Sequence, residues 1–158
     1  MFYNIIIVII NYKGGVNLYY SGFADEAADS IEKQISVTKE LGWKYIESRN
    51  IDGTNITDIS DQKFEEVYQK LNKADIKINC FGSSVANWAK NPRDKKSFIE
   101  SKNELERSIP RMKKLGTKMI RGMSFAIPRD LSPRNPELEK EIIQKLKILV
   151  NMCEAAGI

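Results

Sequence analysis

The chain is 158 residues long, 42% hydrophobic and 29% charged, with a formal net charge of +4 and both signs mixed along it. This suits one domain or part of a larger one, supports a core, and offers no long basic run for a nucleic acid. It contains no histidine, and its only cysteines, Cys80 and Cys153, are far apart. That excludes Ser-His and Cys-His triads, a disulfide framework and a Cys-type zinc site built within this chain.

Residues 1–17 differ in character from the rest of the chain. Ile5-Ile6-Ile7-Val8-Ile9-Ile10 is strongly apolar but far short of the roughly 20 residues of a membrane span. No basic stretch precedes it and no small-residue cleavage site comes after it, so it does not read as a signal peptide. One reading is an extra buried strand. The other lies in the gene. Lys13-Gly14-Gly15-Val16 can be encoded by AAAGGAGGTN, a bacterial ribosome-binding sequence, and Leu18 by TTG, a permitted start codon. Residues 1–17 are therefore expected to be a non-native extension, and residues 18–158 the domain proper.

Leu18–Phe23 reads as a first strand, followed by the polar loop Ala24-Asp25-Glu26. Asp29 or Ser30 can cap a helix with Ile31, Ile35, Thr38 and Leu41 at helical spacing, and Gly42 stops it. A strand, Trp43–Glu47, comes at once and ends in Glu47 and Arg49. The loop 50–60 has an Asp52-Gly53 turn, and the second helix carries Phe64, Val67, Tyr68 and Leu71 on one stripe. Ile76–Phe81 is the third strand, and Gly82-Ser83-Ser84 a small-residue loop. A long helix over 96–115 contains Pro110, which should kink or split it, and Gly116 closes it. Lys118–Met123 is the fourth strand, 128–136 a Pro-rich loop, and 137–156 the last helix, ended by Gly157. Alternation of this kind implies a parallel sheet with right-handed crossovers. The expected fold is α/β: a partial (β/α)8 TIM barrel of about four βα units, truncated before strand five, since a whole barrel takes about 250 residues.

Ser21-Gly22-Phe23-Ala24-Asp25-Glu26, Gly42-Trp43-Lys44-Tyr45-Ile46-Glu47-Ser48-Arg49 and Asp52-Gly53-Thr54-Asn55-Ile56 resemble the first half of sugar phosphate isomerase/epimerase proteins of the xylose isomerase-like TIM-barrel superfamily. Phe81–Trp88 resembles the third-strand loop of that family, often a Gly-Ser-Pro-Ile-Gly-Lys segment, with Ser84, Ala86 and Asn87 in place of Pro, Gly and Lys. Arg121-Gly122-Met123-Ser124-Phe125 is similar to its fourth-strand end, usually Arg-x-Phe-Ser-Phe. The resemblance implies isomerisation or epimerisation of a sugar or sugar phosphate through an enediolate, assisted by a divalent metal (Mn, Mg, Co or Zn) in the full-length family. The metal ligands and base of the family come from strands five to eight. No catalytic or metal-binding residue is therefore expected in this chain, and the fragment alone is expected to bind no metal and to be inactive.

The candidate substrate contacts are Glu47, Arg49, Ser83, Trp88, Arg121 and Ser124. Glu47 and Arg49 either reach substrate oxygens or form an ion pair on the rim. Arg121 either binds a sugar hydroxyl or phosphate or pairs with Glu47. Trp88 either stacks on a sugar face or fills a core. Ser83 and Ser124 are small donors. Asp25 and Glu26 read most simply as acids near a helix start, and Cys80 as a small buried hydrophobe. The expected partner is a small sugar, with no nucleic acid or membrane, and with self-association through the open edges of strands one and four. The expected location is cytoplasmic. The competing reading is a non-catalytic half-barrel assembly module or gene fragment. An apurinic-site endonuclease of the same superfamily would need zinc-binding histidines in its first half, and the chain has none.

The start-site reading has a direct check. Protein made from the natural gene is expected to begin at position 18 with an initiator methionine. A tryptic peptide from residues 1–12 in its mass spectrum would rule this out.

Overall fold

The computed structural model describes the backbone of residues 5–12, 15–132 and 134–158, with side chains described from residue 19 onward and Pro133 excepted. Strands are β1 (Ile5–Tyr12), β2 (Gly15–Gly22), β3 (Tyr45–Ser48), β4 (Asn50–Ile51), β5 (Thr54–Asn55), β6 (Lys77–Phe81) and β7 (Met119–Ile120). Helices are α1 (Ile31–Glu40), α2 (Asp61–Ala74), α3 (Lys95–Leu115) and α4 (Pro136–Ala156), and Ala24–Glu26 forms a 3₁₀ turn.

Local chemistry sets the helix limits. Ser30, Ser60, Asp94 and Asn135 cap the four helices, each side-chain oxygen accepting from backbone N–H in the first turn. Gly116 and Gly157 end α3 and α4 in the left-handed region, at φ 70° and 77°. Asp75 ends α2 in the same conformation, φ 55°, without being a glycine. Asp52-Gly53 turns the small antiparallel hairpin β4–β5 with φ positive at both residues. Pro110 does not split α3, which runs unbroken from Lys95 to Leu115. Its neighbours Leu105, Arg111 and Met112 are buried, so packing on both sides of Pro110 holds the helix together despite the missing donor.

β3, β6 and β7 form a parallel sheet in that order. β2 joins it beside β3 through a parallel bridge from Phe23 to Glu47, with the Tyr19 and Tyr45 rings 4.3 Å apart. Four strands of a parallel barrel are thus present, with one helix between each strand and the next and α4 after the last. Two strands differ from expectation. β3 starts later, at Tyr45, and the fourth strand keeps ladder pairing only at Met119–Ile120. Beyond Ile120 one more bond, Arg121 N–H to the Phe81 carbonyl, reaches the sheet, and the chain then bonds to the third loop: Met123 N–H to Val85, Phe125 N–H to Ala86 and Ala126 N–H to Lys90 carbonyls.

The apolar run Ile5–Ile10 lies in β1, which pairs antiparallel with β2 from Ile5↔Gly22 to Tyr12↔Gly15. β1 takes the edge of β2 away from β3. The expectation of an open strand-one edge is therefore corrected: β1 covers it, because eight contiguous residues, Ile5–Tyr12, pair along β2.

The core has two parts. Ile31, Ile35, Ile46, Val67, Leu71, Ile78 and Phe81 pack α1 and α2 on the sheet, and Val85, Leu105, Phe125 and Leu149 join α3 and α4 to the loops. A register shift between Ile46 and Glu47 leaves Asn79 as an extra residue in β6, so Ile78 and Phe81, three apart, both face the first cluster. Arg111 closes the seam between α3 and α2. Its buried guanidinium donates to the carbonyls of Ile56, Thr57 and Ile59 and to Asp61 at 2.7–3.1 Å.

Lys90 and Glu104 form a buried ion pair, Nζ to Oε1 2.8 Å and to Oε2 3.0 Å, completed by the Ser84 hydroxyl and carbonyl. Leaving one such charge alone costs about 3–5 kcal/mol, whereas replacing both by apolar groups is often neutral. Glu104→Leu should therefore unfold at markedly lower denaturant, and Lys90→Met/Glu104→Leu should recover most of the loss. Equal destabilisation in both variants would show that the loss does not come from an unpaired buried charge.

Candidate functional site

The C-terminal ends of β2, β3, β6 and β7 gather the residues that carry charge. In parallel α/β folds this is where ligands bind. Glu47 ends β3 and is 5% exposed, yet among the described residues its carboxylate accepts no hydrogen bond. Burial raises its pKa above the ordinary carboxylate value, and the nearby positive charge of Arg121 only partly offsets this. Cys80, opposite Glu47 in β6, is half-buried, and burial with the neighbouring carboxylate pushes its thiol up to about 11. It is an un-ionised filler at neutral pH rather than a nucleophile.

Neither expected ion pair of Glu47 forms. Arg49 turns instead to the first loop, its Nε donating to Asp25 Oδ2 at 2.8 Å, and Asn50 Nδ2 donates to the same oxygen at 2.9 Å. Asp25 is thus a partner for strand two, not merely an acid near a helix start. Phe23 supplies what the sequence did not advertise: a ring with the Arg49 guanidinium carbon 4.7 Å from its centroid and that of Arg121 5.1 Å away. Arg121 Nη2 donates to the Ser83 carbonyl at 3.0 Å and, at 3.4 Å, to that of Gly82.

The backbone there is close-packed. Gly82 N–H donates to the Ser48 carbonyl at 2.7 Å, and a Cβ on Gly82 would lie 2.7 Å from that oxygen. Ser83 is fully buried and its hydroxyl donates to the Arg121 carbonyl at 2.6 Å, so it holds the fourth strand end in place. Ala86, where the resembled pattern has Gly, sits at φ 53°, and Phe125 at φ 63°. Both are strained for residues with side chains. Trp88 is 75% exposed and fills no core, because buried Val85, Ala86 and Lys90 on either side anchor the loop and leave it outermost. Ser124 is exposed. An apolar hollow of about 190 Å³ between α1 and the first loop, lined by Phe23, Val37, Leu41 and Trp43, takes in none of Glu47, Arg49 or Arg121.

Lys90, Glu104 and Arg111 were not singled out from sequence. Lys90 sits in Ala89-Lys90-Asn91-Pro92, which reads as a solvated turn, and Glu104 and Arg111 look like any charges on an amphipathic helix.

Four strands in parallel succession with helices between them, and charge collected at one end, define one part of a (β/α)8 barrel. The chain belongs to the xylose isomerase-like TIM-barrel family, whose model matches residues 35–158. Among solved structures it is similar to a xylose isomerase-like TIM-barrel protein from Mycobacterium smegmatis in complex with magnesium: 17% identity, TM-score 0.57, covering 80% of this chain and 44% of that one. It is also similar to an AP endonuclease, family 2, from Brucella melitensis, with 14% identity and TM-score 0.60 over 81% of this chain and 46% of that one. The apo form of 3-keto-D-glucoside 4-epimerase from E. coli gives 17% identity and TM-score 0.58, with 82% and 49% covered. No protein of curated function matches in sequence. The chain spans less than half the length of each of these structures, and no helix among the described residues is long and apolar enough to cross a membrane.

Glu47 gives a test of the local electrostatics. Solvated glutamate ionises at about pH 4.3, and a raised folded-state pKa means that the native state holds the proton longer than the unfolded state does. Stability is then lost as pH rises from there through the folded pKa. Glu47→Gln should raise Tm near pH 7 and leave it nearly unchanged at about pH 3. A Tm gain of the same size at both pH values would contradict the burial argument.

Proposed function

We propose that this chain is the substrate-binding, N-terminal half of a sugar or sugar phosphate isomerase/epimerase. The family match over residues 35–158 carries this reading. It is supported by the placing of an acceptor, Glu47, and a donor, Arg121, at the strand ends where such barrels bind ligands. In this reading Glu47 accepts from sugar hydroxyls and Arg121 donates to sugar oxygens. Arg49 and Ser83 shape the site through Asp25 and the Arg121 carbonyl, while Trp88 and Ser124 lie on the open loops above it.

In this reading a divalent cation bound by the whole barrel would act as a Lewis acid on the substrate carbonyl. The described residues do not fit one. No three His, Cys, Asp or Glu side chains converge on a point, Asp25 is engaged by Arg49 and Asn50, and Glu47 stands alone. A catalytic cation needs several converging oxygen or nitrogen ligands, so the ligands and the base belong to the remainder of the barrel. The other reading, a non-catalytic half-barrel that associates with another chain, draws on the apolar Ile143 and Val150 exposed on α4.

Calorimetric titration of the chain with Mg²⁺ or Mn²⁺, beside a ketose epimerisation assay, separates the two. No turnover and only weak metal binding are expected from residues 1–158, with activity appearing when the remaining barrel strands are supplied. Micromolar metal affinity or turnover by the chain alone would show that the site has been misplaced. A completed barrel without activity would favour the assembly module.

A further inference from the structure

The charges at the strand ends do not cancel in pairs. Arg49 has Asp25 at 2.8 Å and Glu26 at 3.7 Å. Arg121 shares the Phe23 ring with it but has no carboxylate within ion-pair distance among the described residues. Two carbonyls take its Nη2, and its Nε is buried and among the described residues donates to nothing. Carbonyl dipoles satisfy donors without supplying the negative charge that a desolvated cation lacks. Burial first, and then the charge of Arg49, press the Arg121 pKa down, yet arginine does not give up its proton in proteins. The group is also fixed in place. Its N–H donates to the Phe81 carbonyl at 2.9 Å, and its own carbonyl accepts the Ser83 hydroxyl. Close by, Glu47 is 5% exposed, and its carboxylate accepts no hydrogen bond among the described residues.

A cation short of a counter-ion beside an acceptor short of hydroxyls describes one kind of ligand. We propose that Arg121 holds an oxyanionic substituent, carboxylate or phosphate, of a polyhydroxylated molecule whose hydroxyls donate to Glu47, so that the substrate is an acidic sugar rather than a neutral one. This rests on the sugar reading above and narrows it. Guanidinium suits both oxyanions, since its planar fork matches their paired oxygens.

The test tracks the Arg121 Nε–H signal by NMR in the nitrogen-labelled chain, titrated at constant ionic strength with gluconate, glucose 6-phosphate and glucose. Either anionic sugar is expected to move that signal and to bind roughly ten-fold or more tightly than glucose, as one charge-assisted hydrogen bond warrants. A response to gluconate alone identifies a carboxylate, and to glucose 6-phosphate alone a phosphate; either supports the proposal. Arg121→Gln should abolish the preference and Arg121→Lys should keep part of it. Glucose binding as tightly as both anions, or no movement of the Arg121 signal with any sugar, overturns it. The NMR readout stands even where the Gln variant fails to fold. An anion preference without isomerase turnover in the completed barrel would sink the enzymatic reading and leave this one in place, and turnover of neutral sugars only would do the reverse.

Discussion

Ser48 and Gly82 meet so closely that nothing larger than hydrogen fits on Gly82. Their 2.7 Å hydrogen bond fastens the end of β3 to the end of β6 just where both chains leave the sheet. The arrangement of charge depends on that contact. Arg49, next after Ser48, is brought over Phe23. Ser83, next after Gly82, is buried against the backbone of Arg121. The two guanidinium groups therefore meet on one ring, although 72 positions separate them in the chain. A methyl group on Gly82 would push Ser48 and Arg49 away and loosen the whole strand-end cluster, since overpacking of this kind typically costs about 1–3 kcal/mol.

Much of the architecture was legible because it is local. The cap Ser30, the stops Gly116 and Gly157, the Asp52-Gly53 turn and the helical stripes are all decided within a few residues. Sequence patterns failed where partners are remote. Asp25 looked like an acid near a helix start, yet it answers to Arg49 and Asn50. The Lys90–Glu104 pair and the Arg111 clamp join segments that only the fold brings together, and nothing in their neighbours marks them. The shortness of β7 has a similar cause: the residues after Arg121 find hydrogen-bond partners in the third loop rather than in the sheet.

The fold itself does not choose a chemistry. One similar structure is described as an epimerase and another as an AP endonuclease, as expected where function resides in sites rather than scaffolds. What distinguishes this chain is how its strand ends are filled. It has no histidine, one arginine paired with aspartate and, among the described residues, another arginine without a counter-ion and a buried glutamate that accepts no hydrogen bond. In the reading proposed above, those groups bind and orient a ligand.

The hairpin strand β1 bears on how copies of this molecule can assemble. A sheet with two free edges can add neighbours at both ends and grow into open-ended fibres. Here β1 runs antiparallel along β2, so the row of strands ends in β1 on one side and in the short β7 on the other. The outer edge of β1 offers eight residues, Ile5–Tyr12, to a neighbouring strand, whereas β7 offers two, Met119–Ile120. Edge pairing between copies is therefore weighted to the β1 side, and a chain starting at Leu18 would present β2 there instead.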